Sequence, residues 1–359
     1  MGEKTRLYYI DHLRVFLTIL VIAHHVGQAY GPTGGAWPVQ EPARAALLGA
    51  FFTVNRSFLM SLFFMVSGYF MVGAYERGGP RAFLRSRLIR LGIPVLFFVA
   101  ITTPLRIFLF GERITSWTRL FDAGHLWYLE HLLLFSLGYL LWRQLRRPRG
   151  APAERRKSLP KLFAIIVFAQ AVAVLSLLVR LWSPIDRWFN LLGFFKVAFA
   201  DVPRDLGFFI AGVLAYPRGW FERYPTRKGM GWLAVGLAAA ALWYAWDQYL
   251  GRFLPSVRET MDLIYPLWEI ILCSGLCIGL LVLFRQVFTA QGALGCLLAE
   301  NQYSAYFWHV LLIIPLQMAL LGVQLPPLAK FALVTLVGVP LVFAWSHLVR
   351  RLRVVRSVL

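Results

Sequence analysis

The sequence predicts an all-α, polytopic integral membrane protein with about ten transmembrane helices and both termini in the cytoplasm. Hydrophobic residues make up 59% of the 359 residues and charged residues 15%, against about 45–50% and about 25% in ordinary globular chains. So apolar a chain is not disordered, and its three cysteines do not form a disulfide scaffold. Two further observations support this fold class: apolar stretches of membrane-crossing length, and basic residues concentrated in alternate loops.

The apolar stretches are long enough to be helices that cross a bilayer, which needs about 20 mostly apolar residues per crossing. They cover residues 9–30, 46–75, 91–110, 126–142, 162–182, 203–216, 230–250, 263–284, 303–321 and 329–348. The second is long enough to be tilted or kinked. The sixth is the shortest, and its flank at 194–201 either belongs to it or forms an external re-entrant piece.

The first stretch begins like a signal peptide, because Lys4 and Arg6 precede an apolar run. However, the run itself carries Asp11, Arg14 and a pair of histidines, and no convincing small-residue cleavage site follows it. The sequence therefore predicts a retained first helix.

The basic residues set the orientation. Lys and Arg number 37 against 17 Asp and Glu, a net charge of +20. Most lie in alternate loops, at residues 4–6, 77–90, 143–161, 218–228, 285 and 350–356. The positive-inside rule places these loops and both termini in the cytoplasm. The longest, 143–161, is predicted to be a flexible connector. A soluble nucleic-acid binder is excluded, because the basic residues alternate with apolar stretches.

The first helix carries a polar stripe. Ionisable groups inside a membrane are costly unless they are paired or hydrated, so each is a functional candidate. Arg14 and His25 are eleven residues apart, which places them about 20° apart on one face and roughly 16 Å apart along the axis. Asp11 lies one turn before Arg14 and can pair with it. Arg14 could instead snorkel to the inner headgroups, and His25 could simply bond a neighbouring helix.

The fourth stretch supplies candidates at the outer surface. Glu130 lies about one turn below that surface, at the predicted depth of His25, and is a candidate to orient or charge-stabilise the imidazole. Interfacial solvation of Glu130 is the alternative. His125 and Trp127 lie at the outer interface, where a tryptophan is also expected as a membrane-belt residue.

Candidates at the cytoplasmic ends of several stretches share a positive charge or a capacity for hydrogen bonding. They are Arg14, Ser67, Arg87, Arg90, Tyr306 and His309. Together they could form a mouth for an anionic cytosolic ligand such as a phosphate or nucleotide. The plainer interpretation is positive-inside arginines and belt tyrosines. Next to Ser67, Gly68 permits a close backbone approach.

The cysteines do not predict a metal site. Cys273 and Cys277 lie four residues apart on one helix, with Cys296 further on, and no other metal-ligand types accompany them. Ordinary packing is therefore expected.

Several short motifs occur in a characteristic order. They are YIDHLR at 9–14 followed by His25, FFMVSGY at 63–69, RLIRLGIP at 87–94, HLWYL at 125–129, FFIAGVLAY at 208–216 and YSAYFWH at 303–309. In this order the chain resembles the acyltransferase-3 family of bacterial membrane O-acyltransferases. Within that family it is most similar to the branch that succinylates periplasmic glucans.

The resemblance implies one transmembrane acyltransferase domain over residues 1–359, without an appended soluble domain, in the bacterial inner membrane. It implies transfer of an acetyl or succinyl group from cytosolic acyl-CoA to a hydroxyl of an extracytoplasmic glycan or similar acceptor. His25 would be the general base or the acyl carrier, supported by Glu130. Arg14, Asp11 and the cytoplasmic candidates would hold the donor, and His125 and Trp127 would bind the acceptor.

The expected partners are acyl-CoA as donor substrate, a carbohydrate or other hydroxyl acceptor, and the lipid bilayer. No permanently bound cofactor, metal or nucleic acid is expected, and a homo-oligomer is left open.

The main alternative is a proton-coupled secondary transporter that uses the same intramembrane Arg, His and Glu residues. The sequence has no two-fold internal repeat and no matched pair of Gly/Pro-broken stretches, which argues against it. A non-catalytic scaffold would leave the stripe from Arg14 to His25 unexplained.

Overall fold

The computed structural model describes residues 7–32, 37–110, 122–146, 158–185, 187–251 and 255–359. Helices account for 81% of the structure, which confirms the all-α class. Lys4, Arg6 and the central part of the predicted connector, at 147–157, lie outside the described residues.

The helices follow the predicted apolar stretches in order. They are α1 (Tyr8–Gly27), α2 (Leu47–Arg87), α3 (Ile93–Phe110), α4 (Trp127–Leu145), α5 (Leu162–Arg180), α6 (Val202–Ala215), α7 (Trp220–Arg223), α8 (Thr226–Ala245), α9 (Pro255–Val287), α10 (Ala293–Ala319), α11 (Pro327–Val349) and α12 (Arg353–Val358). Short 3₁₀ turns cover Gly124–Leu126, Phe199–Asp201 and Tyr216–Arg218, and π turns cover Leu88–Gly92 and Trp246–Leu250.

Within the described part of the chain, six helical segments are long and apolar enough to cross a membrane. They are Tyr8–Gly27, Leu47–Leu105, Leu162–Arg180, Thr226–Leu250, Leu263–Val287 and Pro327–Val349. The second of these contains two of the predicted stretches. The chain is thus an all-α protein with several helices suited to a bilayer.

The long second segment contains two backbone irregularities. Gly79 has a φ of 67° and is followed by Pro80, so α2 breaks there. Its end passes into α3 through the π turn Leu88–Gly92. Pro94 has no N–H to donate to the carbonyl of Arg90 four residues earlier, which favours a widened turn at this point.

One small sheet was not predicted. Strands β1 (Phe189–Leu191) and β2 (Phe195–Val197) pair antiparallel, with Phe189 opposite Val197. The flank at 194–201, for which the sequence left two alternatives, contains the second strand of a hairpin and the 3₁₀ turn that leads into α6.

The chain forms two compact units, and the first contains residues 1–63 and most of 224–359. In this unit α1 packs against α9, α10 and α11, and its Ile10, Leu13, Leu17 and Ile22 are fully buried. Helices α8 and α9 pack closely where Gly236 meets Gly275, since a Cβ on Gly275 would lie 2.6 Å from the Gly236 Cα.

The second unit contains residues 64–223. Here α2 and α6 touch through their backbones. A Cβ on Gly68 would lie 2.2 Å from the Phe209 carbonyl oxygen, and one on Gly212 would lie 1.9 Å from the Met65 oxygen. Only glycine fits at these positions, which confirms the close approach predicted at Gly68.

Candidate active site

His25 lies near the end of α1, and its ring is held on one side by two acceptors. Its Nδ1 is 3.0 Å from the Val21 carbonyl oxygen, one turn earlier. The same atom is 3.1 Å from Nε2 of His309 on α10. The two imidazole centroids are 4.9 Å apart. The structure thus brings together two histidines 284 residues apart in the chain.

The neighbouring carbonyls define the tautomers of this pair. A carbonyl oxygen only accepts, so the contact with Val21 places a proton on Nδ1 of His25. His309 Nδ1 lies 2.7 Å from the Tyr306 carbonyl oxygen and carries a proton for the same reason. In the neutral pair, Nε2 of His309 therefore accepts from His25 Nδ1–H. The basic lone pair of His25 is then on its own Nε2.

Gln317 fixes the end of the helix that carries His25. Its Nε2 donates to the carbonyl oxygens of Val26, at 2.9 Å, and His25, at 3.3 Å. The last carbonyls of a helix lack the usual partner four residues on, and that of His25 also accepts the backbone N–H of Gln28 at 3.3 Å. The Oε1 of Gln317 accepts the indole N–H of Trp37 at 2.8 Å.

The adjacent His24 touches the His25 ring edge-on, 5.7 Å between centroids, but points about 100° away around the helix and has other contacts. Its Nε2 lies 3.2 Å from Gln28 Nε2, and its ring lies 5.1 Å from that of Phe52. His24 is therefore a neighbour in sequence with different contacts, and a natural control for His25.

Asp11 and Arg14 occupy the start of the same helix, and both are partly exposed. The eleven residues between Arg14 and His25 place them roughly 16 Å apart along α1. Between them, Thr18 Oγ1 donates to the Arg14 carbonyl at 2.9 Å and lies 3.3 Å from Gln302 Oε1 on α10.

Tyr306 and His309 lie deeper than the sequence suggests. The predicted ninth stretch begins at 303, so both residues were expected at a cytoplasmic mouth. Helix α10 begins at Ala293, ten residues earlier, and both side chains are buried. Their rings are 5.8 Å apart, with His309 against His25. The spacing of Tyr306 and His309 could be recognised in the sequence, but the contact of His309 with His25 on α1 could not.

The other donor-side candidates lie in the second unit. Ser67 Oγ and the Tyr128 hydroxyl are 2.8 Å apart. Arg87 lies over the Phe83 ring, 5.1 Å from its centroid. Arg90 is exposed and lies within the π turn. Their assignment to a donor stays a prediction.

Glu130 and His131 hold the hairpin against α4. Glu130 Oε2 accepts the backbone N–H of Lys196 at 3.1 Å, and His131 Nε2 donates to the Lys196 carbonyl at 3.1 Å. The Lys196 ammonium also pairs with Asp122 at 3.1 Å. Glu130 and His25 belong to different units, so the predicted pairing of the two stays a prediction.

The predicted acceptor residues lie at the start of α4. His125 is buried edge-on to Phe98, with ring centroids 4.9 Å apart. Trp127 is partly exposed and contacts Trp188, 5.6 Å away between centroids. Trp188 had no sequence signal because it lies outside every predicted stretch.

A buried charged group in the second unit was also missed. The side chain of Arg180 is 9% exposed and lies 3.8 Å from Asp201. Arg204 contacts both Asp201 and Asp205 at 3.4 Å. These charges compensate one another around the start of α6.

Cys273 and Cys277 are buried, with sulfur atoms 3.8 Å apart. In the part of the chain that the structure describes, no group of three His, Cys, Asp or Glu side chains is placed to hold a metal ion.

The structure thus combines several helices of bilayer-crossing length with a pair of histidines in contact between α1 and α10. The acyltransferase-3 family model, described as an acyltransferase domain, matches residues 7–349. The chain therefore belongs to this family and is an acyltransferase.

Its relatives include Glucans biosynthesis protein C of Salmonella schwarzengrund (strain CVM19633). That protein is 26% identical over 289 residues, covering 74% of this chain and 73% of the relative. Glucans biosynthesis protein C of Salmonella heidelberg (strain SL476) is 25% identical over the same shares. No solved structure matches the chain.

Proposed function

We propose that this acyltransferase moves an acetyl or succinyl group from cytosolic acyl-CoA to a hydroxyl of an extracytoplasmic glycan. The family supports the reaction class, and the name of the relatives supports a glucan acceptor. The proposed setting is the bacterial inner membrane, crossed by ten helices with both termini in the cytoplasm.

The relative direction of α1 and α10 supports this topology. Thr18 is near Gln302 and His25 is near His309, so contacts advance in the same direction along both helices. The two helices are therefore parallel. Parallel helices cross in the same sense, as the first and ninth of ten successive spans do.

The histidine pair is the observation that carries the mechanism. Nε2 of neutral His25 takes the proton of the acceptor hydroxyl while the hydroxyl oxygen attacks the thioester carbonyl. The carbon–sulfur bond breaks, and the CoA thiolate leaves and recovers the proton from His25. Such general base catalysis contributes typically about 10²–10⁴-fold.

The contacts on Nδ1 stabilise the charge that develops. The imidazolium keeps Nδ1–H directed at Val21 O and His309 Nε2, two acceptors that bind a cation more strongly than a neutral ring. His309 keeps its orientation through Tyr306. Nucleophilic attack by His25 itself, with a covalent acyl-histidine, is the variant mechanism that trapping experiments distinguish.

On the donor side, we propose that Arg14, Arg87 and Arg90 bind the phosphates of acyl-CoA through charge-assisted hydrogen bonds. Asp11 and Ser67 complete this set. Tyr306 and His309 lie next to His25 and so contact the thioester end of the donor. His125 and Trp127 are proposed to bind the acceptor, and Glu130 to support His25.

The test uses purified protein with acetyl-CoA or succinyl-CoA and a periplasmic glucan. Released CoA and acylated glucan are measured together. His25→Ala is expected to lower transfer at least about 100-fold, whereas His24→Ala, matched in helix and residue type, retains most activity. Undiminished transfer by a folded His25→Ala variant would contradict the proposal. Uptake of a solute into vesicles without acyl-CoA would instead support a transporter.

A further inference from the structure

We propose that Trp37 binds a sugar ring of the acceptor beside His25, and that Gln317 is the positioning residue that fixes its indole. This inference rests on the proposed glycan acceptor and names a contact for it. Trp37 follows α1 in the loop that begins beyond His25, which lies on the extracytoplasmic side in the proposed topology.

Trp37 lies directly next to the proposed base. The centroids of the Trp37 and His25 rings are 5.5 Å apart, with their planes tilted by 35°. The indole is only partly buried. A ligand lying on its exposed part is therefore adjacent to the histidine that accepts the proton.

The side-chain amide of Gln317 has one orientation, and this orientation fixes the indole of Trp37. It is fully buried. Its Nε2 faces two carbonyl oxygens at the end of α1, which can only accept, so this atom is the nitrogen. Its oxygen is thereby directed at the indole N–H, 2.8 Å away. One side chain thus links the helix end that bears His25 to Trp37.

Further contacts hold the loop on either side of this point. The backbone N–H of Glu41 donates to Ala29 O at 3.1 Å, and that of Ala45 donates to Tyr30 O at 2.8 Å. The Glu41 carboxylate pairs with Lys330 at 2.5 Å, and both side chains are buried. Together with the bond to Gln317, these contacts of residues 41–45 present Trp37 in a fixed position before any ligand arrives.

A fixed indole suits a sugar ring. Pyranose rings present flat faces of C–H groups, and an indole offers a large, rigid apolar face with little conformational freedom to lose. Because the N–H is already bonded to Gln317, the ring face is the part left for the ligand. Preorganisation lowers the entropic cost of binding.

The experiment separates acceptor from donor kinetics. Trp37→Ala is expected to raise KM for the glucan roughly tenfold, the scale of losing one aromatic anchor. KM for acyl-CoA is expected to stay within about twofold of wild type. Trp37→Phe, which keeps a ring but lacks the N–H, and Gln317→Met are expected to raise the glucan KM by smaller factors.

The matched control is Trp345→Ala, which removes a tryptophan of α11 whose ring contacts Trp308 at 6.0 Å. It is expected to leave both KM values unchanged. An unchanged glucan KM in Trp37→Ala, or an equal rise in the acyl-CoA KM, would overturn the inference.

A direct measurement of glucan binding tests the inference without turnover and without the Trp37→Ala variant. Saturation-transfer NMR of the glucan with the His25→Ala protein is expected to show contacts to sugar ring protons that weaken in a His25→Ala/Trp37→Phe protein. If the saturation-transfer signals of the sugar protons are equally strong with both proteins, the inference is refuted. Absence of glucan acylation by wild type, with this difference preserved, would contradict only the proposed reaction.

Discussion

Replacing His309 by alanine tests whether the histidine pair acts as a unit. The change removes one of the two acceptors that face Nδ1 of His25 and leaves Val21 O, at 3.0 Å, in place. The tautomer of His25 is therefore retained, and the loss is one hydrogen bond to the imidazolium of the transition state. Hydrogen bonds to charged groups contribute about 1.5–3 kcal/mol, so a loss of about 2 kcal/mol lowers kcat roughly 30-fold.

The assay is release of CoA in the presence of saturating glucan and acyl-CoA, with fold checked by size-exclusion chromatography and thermal unfolding. His309→Gln, whose amide oxygen can accept from Nδ1–H, is expected to recover part of the rate. His24→Ala is the control. If folded His309→Ala turns over within twofold of wild type, the imidazole of His309 does not support His25 and the reasoning from the tautomers is wrong.

Three further predictions concern stability and donor binding. Lys330→Met leaves a buried carboxylate at Glu41 without its cation and is expected to lower the free energy of unfolding by about 3–5 kcal/mol. The double variant Lys330→Met/Glu41→Leu is expected to recover most of this loss. Equal unfolding transitions in wild type and both variants would contradict the prediction. Gly212→Ala places a methyl group 1.9 Å from a carbonyl oxygen and is expected to abolish folded protein in detergent, whereas Gly138→Ala, with nothing within 4 Å, leaves its yield unchanged. Arg14→Ala is expected to raise KM for acyl-CoA about tenfold without changing KM for the glucan. An unchanged KM for acyl-CoA would refute the assignment of Arg14 to the donor site.

The positions of the helices and the residues that share one helical face could be predicted, because both depend on residues close together in the sequence. Apolar length predicts the helices, and residues eleven apart on one helix share a face whatever surrounds them. The close backbone approach at Gly68 could be predicted for the same reason, since a glycine within an apolar helix usually marks close packing. These inferences need no knowledge of which helices are neighbours.

The rest depends on contacts between distant residues. The position of His309 within α10 was misjudged because Glu300, Asn301 and Gln302 interrupt the apolar pattern seven to nine residues after the helix begins at Ala293. The link between Trp37 and Gln317 joins residues 280 positions apart and leaves no periodic signal. The hairpin at Phe189–Val197 is too short for a strand pattern to be recognised.

The parallel contact between α1 and α10 has a mechanical consequence. Thr18 with Gln302 and His25 with His309 have the same offset of 284 residues, one pair seven residues beyond the other. A shift of either helix along its axis by one residue, about 1.5 Å, would break both contacts at once. The two contacts therefore hold these helices in one register along their axes. A carrier cycle that slid these helices past each other would have to break both contacts, whereas the proposed acyl transfer at His25 would leave them in place.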